Sequence, residues 1–493
     1  MTPDSVLSPT GWLSETLGPL PLETELTAWE RHWRTEGEAV SDAVDRAGTP
    51  HVRMFDALGQ RVDEVVFPPG YRALVAEGYR RGLIWRAFES GTPLPFFLLG
   101  YVTSFFDAGI YCPYTVSMST AIPLDKYGTD QLKARFLGEM LRRDGGAWQG
   151  ATWMTEAAGG SDLGAGVVTR AREIADGTWW LSGDKYFCSN VGAELAVVAA
   201  RPEGAPDGVR GLALFLVPKV RANGASNYTL RRLKDKVATR SVPTGEVEFR
   251  DTEAWLLGPR DVGVYLILEV LNVSRVANSV GSVALMQRAI ADAVAFGRRR
   301  VAFGRPVAAH PLLARQIDER LTSLREAFAL AWEAVSRLGR VWRETPRYSD
   351  DYHAFRLTAH LAKYWTAEQA AQTAKWAMEV LGGVGTQAEN RVERWLREAM
   401  ILAIWEGTPH RQMIDGLEVM ERHRVHEALL ESVAGTVSRR EIDEWRQRIA
   451  GHLARPRDER EAGIEPLFSG FARFMAGALA RRTPVAQGLS PAS

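Results

Sequence analysis

The hydrophobic period of this chain changes three times, and those changes limit its architecture more than any other feature. From residue 1 to about 148 the apolar residues recur at helical spacing, as in LETELTAWERHWRTEGEAVSDAVDRA. GTDQLKARFLGEMLRR opens on an N-cap candidate, Thr129, and continues with strong helix formers. From about Gly150 to Leu257 the segments GATWMTE, TWWLSGDKYFCSN, LAVVAAR, GLALFLVP, YTLRRL and TGEVEFRDTEAWLLG read as strands. They are short, β-branched or aromatic, and bounded by Gly, Pro, Asn or Asp. From about Asp261 to Met420 the helical period returns, first in a proline-free stretch long enough for one helix of more than thirty residues. A second long stretch ends at Gly382 and Gly383, which read as C-cap glycines. Further helical segments follow Met420, then a tail, TPVAQGLSPAS, expected to fray. Helices, then strands, then helices, without alternation, imply an α+β protein of separate domains rather than a doubly wound sheet.

The expected organisation is a helical domain over residues 1–148, a β domain over 149–257, a helical domain over 258–420 and a helical extension over 421–493. Sixty basic residues balance sixty acidic ones, which argues against coating nucleic acid by charge alone. Two cysteines, Cys112 and Cys188, exclude a disulfide framework and a four-cysteine zinc site, and both read as small buried hydrophobes. No metal site is expected. The N-terminus lacks a basic region followed by an apolar stretch, and no apolar run approaches the roughly 20 residues that span a bilayer. A cytoplasmic protein without membrane insertion is expected.

Two features stand out chemically. MTEAAGGSDLGAG, Met154 to Gly166, follows a strand-like segment. Its adjacent glycines, Gly159 and Gly160, suit a turn whose backbone approaches a flat or anionic ligand, with Ser161 as a donor to phosphate. Taken alone, an ordinary Gly-rich hairpin is the better reading. Arg275 and Arg300 are 25 residues apart. At about 100° per residue that is roughly seven turns, which puts both on one side of a continuous helix. Arg298 and Arg299 adjoin Arg300, so a solvated basic cluster is the competing reading.

The sequence resembles the acyl-CoA dehydrogenase family over about residues 120–420. The resemblance rests on five segments in order: TE-x-x-x-GSD preceded by GTDQLK, GDKYFCSN, RRRVAFGRP, EVLGGVG and REAMILAIWEGTPHRQ. It implies an N-terminal helical domain, a central β-barrel or sandwich, a C-terminal four-helix bundle and FAD as cofactor. By resemblance Met154 and Thr155 lie against the flavin ring, and Gly160 and Ser161 lie by the pyrophosphate and the CoA entrance. Phe187 replaces a Trp that covers the ring, and Ser189 replaces a Thr near N5. Phe keeps an aromatic cover without the indole N–H. Arg300 and Phe303 are implied to reach the pyrophosphate and adenosine across a dimer interface, where a guanidinium fork suits phosphate. Gly382, Gly383 and Thr408 belong to the same cofactor set. Glu379 replaces a Gln there, and a carboxylate beside a pyrophosphate needs to be paired or turned away.

Glu406, in IWEGT, is implied to be the catalytic base. An acyl thioester's α-proton is weakly acidic, and removing it needs a desolvated base of raised pKa. Apolar neighbours and Gly407 suit that need. Arg275, Ser161, Trp405 and Gly407 are implied to contact substrate. Some family members place the base near the start of the long helix. Here Asn272 and Ser274 are neutral, with Glu269 further upstream. The implied reaction is α,β-dehydrogenation of an acyl-CoA to a trans-2-enoyl-CoA, as in fatty acid β-oxidation. An electron-transfer flavoprotein would be the oxidant, and the protein a homodimer or homotetramer.

Within the family, MTEAAGGSDLGA, LKDKVATRSVPTGEVEF, AWLLG and EVLGGVG are similar to the AidB-type adaptive-response branch, which is linked to DNA binding. Residues 421–493 hold 12 Arg and no Lys against 10 Asp and Glu, so 12 − 10 = +2. Sustained phosphate contact needs a clearer excess, so packing of the extension is favoured over DNA.

Overall fold

The computed structural model describes residues 4–175 and 177–482, so the tail TPVAQGLSPAS lies outside the described residues. Eight helices and seven strands carry the features below. The helices are α1 (Leu94–Phe106), α2 (Ala108–Tyr127), α3 (Gly263–Arg299), α4 (Pro311–Val341), α5 (Asp350–Leu381), α6 (Val392–Ile404), α7 (Pro409–His423) and α8 (Ile464–Ala480). The strands are β1 (Thr152–Trp153), β2 (Arg170–Ala175), β3 (Thr178–Ser189), β4 (Leu195–Pro202), β5 (Ala213–Pro218), β6 (Thr229–Leu233) and β7 (Thr244–Leu257). Two compact units divide the chain. One takes His32–Glu89 and Gly109–Ser274, the other Met1–Arg31, Ser90–Ala108 and Arg275–Ser493.

In the first unit the strands run in the order β1-β4-β2-β3-β7-β5, with β6 beside β7. Strand β4 also pairs with β5, which closes β4, β2, β3, β7 and β5 into a barrel. Strands β4 and β5 are buried at every position, which is why LAVVAARP and ALFLVP read as near-continuous apolar runs rather than alternating ones. Trp153, Trp179, Leu181, Cys188, Phe215 and Phe249 share the core, with Trp179 edge-on to Phe215 at 5.3 Å. Both cysteines are buried, as their sequence context suggested, and burial pushes the Cys188 thiol pKa up.

Helix α2 is bound to the lead-in of β1. Ser117 Oγ accepts from Gly150 N at 2.8 Å, and Thr120 Oγ1 donates to Ala151 O at 3.0 Å. The approach depends on Gly150 having no side chain. A Cβ there would lie 2.6 Å from Thr120 Oγ1 and 2.9 Å from Ser117 Cα.

One element departs from the helical reading of residues 1–148. His51–Phe55 and Arg61–Val66 form an antiparallel hairpin. Its turn is built by Asp56, whose Oδ1 accepts from Leu58 N and Gln60 N, both at 2.8 Å. The period-2 alternation of HVRMF carried that signal.

In the second unit α5 packs against α4, α6 and α7, and α8 of the extension lies on α4, α5 and α7. The extension therefore covers the helical bundle of its own chain, and Phe468 of α8 seats against Gly416 of α7. Helix α1 is buried along its whole length. Tyr101 on it donates to Gln287 Oε1 at 2.7 Å, and Gln287 Nε2 donates to Val6 O at 2.8 Å. Among the described residues no helix is long and apolar enough to cross a membrane, and no cluster of His, Cys, Asp or Glu is placed to hold a metal.

The contact at Gly150 generates a stability prediction. Gly150→Ala forces α2 off the barrel and is expected to cost about 1–3 kcal/mol, the usual range for overpacking. Urea unfolding checks it, and an unchanged midpoint contradicts the packing described.

Candidate active site

In the barrel unit, the end of β1 and the end of β3 meet because one side-chain and one backbone hydrogen bond tie them together. Trp153 Nε1 donates to Ser189 O at 3.1 Å, and Tyr186 N donates to Thr155 O at 3.0 Å. These bonds bring Met154, Thr155, Phe187 and Ser189 to one place. A register shift in β3 between Lys185 and Cys188 breaks the alternation, so that both turn inward while Phe187 between them is left outward, 52% exposed. Phe187 packs edge-on to Tyr186 at 5.1 Å, and the Lys234 ammonium sits 4.7 Å from its ring centre.

A buried ion pair lies under this corner. Lys185 Nζ reaches Glu156 Oε1 at 2.6 Å and Met154 O at 3.3 Å. Glu156 also accepts from Val168 N at 2.8 Å, Thr169 N at 3.2 Å and Thr169 Oγ1 at 2.6 Å. The carboxylate thus closes the loop from Met154 to Gly166 back onto the barrel. Gly159 and Gly166 meet within that loop, and a Cβ on Gly159 would lie 2.4 Å from Gly166 Cα. Gly160 takes a φ of +53°, and Ser161 stays exposed at the loop surface.

Glu406 belongs to the other unit, in the four-residue link between α6 and α7. Trp405 ends α6, its indole N–H buried without a hydrogen-bond partner among the described residues. Thr408 caps α7, accepting from Arg411 N at 3.4 Å, and Pro409 starts the helix. Between them Glu406 has a φ of +58° and Gly407 a φ of +100°. A left-handed glutamate costs roughly 1–2 kcal/mol and persists only where its surroundings fix it.

Those surroundings are side chains that donate to the link's carbonyls. Asn278 Nδ2 reaches Leu402 O at 3.0 Å. Lys363 Nζ reaches Ala403 O and Gly407 O, each at 2.7 Å. Arg275 Nε reaches Glu406 O at 3.2 Å. Gln412 Nε2 reaches Glu406 O and Gly407 O, each at 3.0 Å, and Gln412 Oε1 lies 2.9 Å from His360 Nδ1. Burial, reinforced by Arg275, lowers the His360 pKa to about 3, so the ring is neutral and its Nδ1–H is assigned as donor to Gln412. Gly407 is required sterically as well, since a Cβ there would lie 2.7 Å from Gln412 Nε2.

Glu406 keeps partial surface exposure, yet dense surrounding protein raises its carboxyl pKa, with Arg275 and Lys363 opposing the rise. The alternative carboxylate, Glu269 on α3 within the barrel unit, is engaged by Lys126 and by Tyr127 Oη at 2.8 Å. Ser274 lies 3.1 Å from Ser119.

Arg275 is buried, and its guanidinium donates to Glu406 O and, at 3.2 Å, to Asp415, so it braces the link from behind. Arg300 does not continue the helical face of Arg275, because α3 ends at Arg299 and Arg300 is exposed at the start of a short hairpin. Phe303, at a φ of +50°, is 97% exposed. Glu379 is ion-paired with Lys375 one turn before the end of α5. Gly382 caps that helix at a φ of +65°, and open space lies beside both Gly382 and Gly383.

Sequence reasoning passed over Glu156 and Lys185, and over Asn278, His360, Lys363, Gln412 and Asp415. The available signal was polar residues on otherwise apolar helical faces, such as His360 and Lys363 in LTAHLAKYW.

Lys185→Met leaves the Glu156 carboxylate buried without its cation and is expected to cost about 3–5 kcal/mol. The double variant Glu156→Leu/Lys185→Met is expected to recover much of that loss. A single variant with the parent's unfolding midpoint contradicts the clamp.

Comparison with known proteins gives a consistent set of matches. Residues 151–252 match the acyl-CoA dehydrogenase middle domain, and residues 261–420 match the acyl-CoA dehydrogenase C-terminal domain. Residues 27–144 match the adaptive response protein AidB N-terminal domain. The chain is 30% identical over 430 residues to the putative acyl-CoA dehydrogenase AidB of Escherichia coli (strain K12), covering 83% of this chain and 76% of that protein. Among solved structures, the apo form of Bd2924 superposes with a TM-score of 0.85 at 26% identity, covering 96% of this chain and 95% of that one. Caenorhabditis elegans ACDH-11 in complex with C11-CoA superposes with a TM-score of 0.82 at 25% identity, covering 96% and 85%.

Proposed function

The chain belongs to the acyl-CoA dehydrogenase family, and from that premise we propose that it oxidises an acyl-CoA between its α and β carbons, with Glu406 as the base. It is an FAD-dependent oxidoreductase of that family. FAD, when bound, supplies the two-electron acceptor for the hydride from the β-carbon.

The residues present suit that cofactor. Phe187 offers an uncovered aromatic face beside Thr155 and Ser189, and the wound glycine loop leaves Ser161 exposed. Arg300 and Phe303 are also exposed, an arrangement that suits contact with a cofactor held partly by a second copy of the chain. Phe187, Thr155 and Ser189 would hold the ring, and Ser161, Gly160, Arg300 and Phe303 the pyrophosphate and adenosine. Glu379 is neutralised by Lys375 beside the open shelf of Gly382 and Gly383. In this reading Trp405 and Gly407 flank the substrate, and Thr408 stands by the cofactor while capping α7.

The observation that carries the proposal is the fixed, left-handed Glu406. Its backbone is held by donors from three helices, and its raised pKa makes the carboxylate a stronger base. Removal of the α-proton requires the ionised form. The rate is therefore lost as pH falls through a pKa above the ordinary carboxylate value of about 4.3. ACDH-11, a structural relative, is solved with C11-CoA, which recommends medium-chain acyl-CoAs among the first substrates tried. An electron-transfer flavoprotein is the proposed physiological oxidant, and a homodimer or homotetramer the proposed assembly.

Glu406→Gln is expected to stay yellow, with FAD bound, and to lose bleaching by a panel of butyryl-, octanoyl- and undecanoyl-CoA under anaerobic conditions. The parent's acid limb in kcat/KM should lie above the ordinary carboxylate range. Bleaching that survives the substitution removes Glu406 as the base.

The match of residues 27–144 to the AidB N-terminal domain raises DNA binding as a second reading. Support for packing over phosphate contact comes from the extension's arginines. Arg439 and Arg446 are ion-paired with Glu431, Arg440 with Glu444 and Arg460 with Glu421. No retardation of duplex DNA at low salt is expected in gel-shift assays, and salt-sensitive retardation restores the DNA reading.

A further inference from the structure

Lys363 is a buried ammonium for which the proposed chemistry has no direct use. It lies on α5, 19 residues before Gly382 of the glycine turn and one turn from His360. Its Nζ donates to Ala403 O and to Gly407 O, each at 2.7 Å. Those carbonyls flank Glu406 on either side, the first in the last turn of α6 and the second one residue past the carboxylate. An ammonium has three donors arranged around one point, so it can pull both carbonyls toward a single centre. Doing so pins the two ends of the segment that contains the left-handed Glu406.

We infer that Lys363 is a positioning residue for Glu406: by bridging Ala403 O and Gly407 O it holds the link in the one backbone shape that aims the carboxylate. This rests on the proposed role of Glu406 as base. The ammonium does not touch substrate; it acts through the link and through its charge. Arg275 on α3 and Gln412 on α7 hold the same link at Glu406 O, so three elements converge on a single turn. The other two have supports of their own, Asp415 for Arg275 and His360 for Gln412, whereas Lys363 joins both ends.

The charge has a second consequence. The charged groups that bear on Glu406 are Arg275 and Lys363, and those that bear on Lys363 are Arg275, Glu406 and Glu368. Burial, with Arg275 adding to it, lowers the Lys363 pKa to about 7, while Glu406 and Glu368 oppose the fall. A charged Lys363 favours the ionised Glu406, so its removal raises the carboxyl pKa. The sign is definite: without the ammonium, the acid limb of the rate moves to higher pH.

The test uses the FAD-loaded protein and four variants: Lys363→Met, Lys363→Gln, Lys363→Arg and Glu406→Gln. Lys363→Met removes both the donors and the charge. It is expected to lower the rate of flavin reduction by an acyl-CoA by on the order of 10- to 100-fold, the scale of a misplaced reacting group. KM should change far less than kcat. Lys363→Gln keeps a neutral N–H donor, one bond shorter in reach, which guards against loss of folding. It should shift the acid limb upward with a smaller loss of kcat. Lys363→Arg should recover the acid limb. A readout independent of turnover is the protonated-carboxyl stretch in infrared pH titration, assigned by its disappearance in Glu406→Gln. Its midpoint should rise in Lys363→Met and Lys363→Gln and return in Lys363→Arg. If Glu406→Gln abolishes bleaching while Lys363→Met and Lys363→Gln keep the parent's kcat and infrared midpoint, the positioning role is overturned and the base stands. If Glu406→Gln still bleaches, the base itself fails, which is a separate result.

Discussion

The bracing of one short link by buried side chains is the constraint on which the rest of the bundle's chemistry depends. Between α6 and α7 the chain reverses through two residues of positive φ, one of them a glutamate. Such a turn does not hold itself. Its exposed carbonyls would otherwise need water, and a buried unpaired carbonyl costs about 1–3 kcal/mol. Asn278, Lys363, Arg275 and Gln412 remove that cost by donating to Leu402 O, Ala403 O, Glu406 O and Gly407 O. They stand on three different helices, so the bundle's packing and the shape of the link are one problem. The same low-dielectric setting that strengthens these bonds raises the Glu406 pKa.

The barrel unit solves a similar problem with a different device. Its glycine loop, from Met154 to Gly166, is closed by a carboxylate that lies inside the fold. Glu156 gathers Lys185, Thr169 and two backbone N–H groups, and Lys185 in turn reaches Met154 O. With the polar demands of the loop met from within, Ser161 stays exposed and Phe187 stands outward from β3. In both units buried ions are spent on backbone shape, and the residues proposed to meet ligands are those the shape leaves free.

Much of this was legible in the sequence because the relevant signals are local. The change from helical to strand grammar near Gly150 and back near Asp261 is a change of period, and it marks the barrel strands and the long helices α3, α4 and α5. Motif order along the chain pointed to the family, and the burial of Cys112 and Cys188 followed from their context. The hairpin at His51–Val66 was missed because its alternation is short and lies inside a helical neighbourhood. The braces at Lys363, Gln412 and Asn278 could not be read, because each acts on a backbone carbonyl more than a turn away or on another helix. Spacing along one segment carries no information about such a partner. Arg275 shows the same limit: its identity and helical position were plain, but the use of its guanidinium was set by Asp415, 140 residues later.

The central claim is that this braced glutamate faces the carbon from which a proton is taken. A structure of the FAD-loaded protein with a slowly reacting acyl thioester analogue tests it most directly. The account predicts a Glu406 carboxylate oxygen about 3–3.5 Å from the thioester's α-carbon, the separation of a reactive pair. A carboxylate turned to bulk solvent, with the acyl chain bound elsewhere, contradicts it.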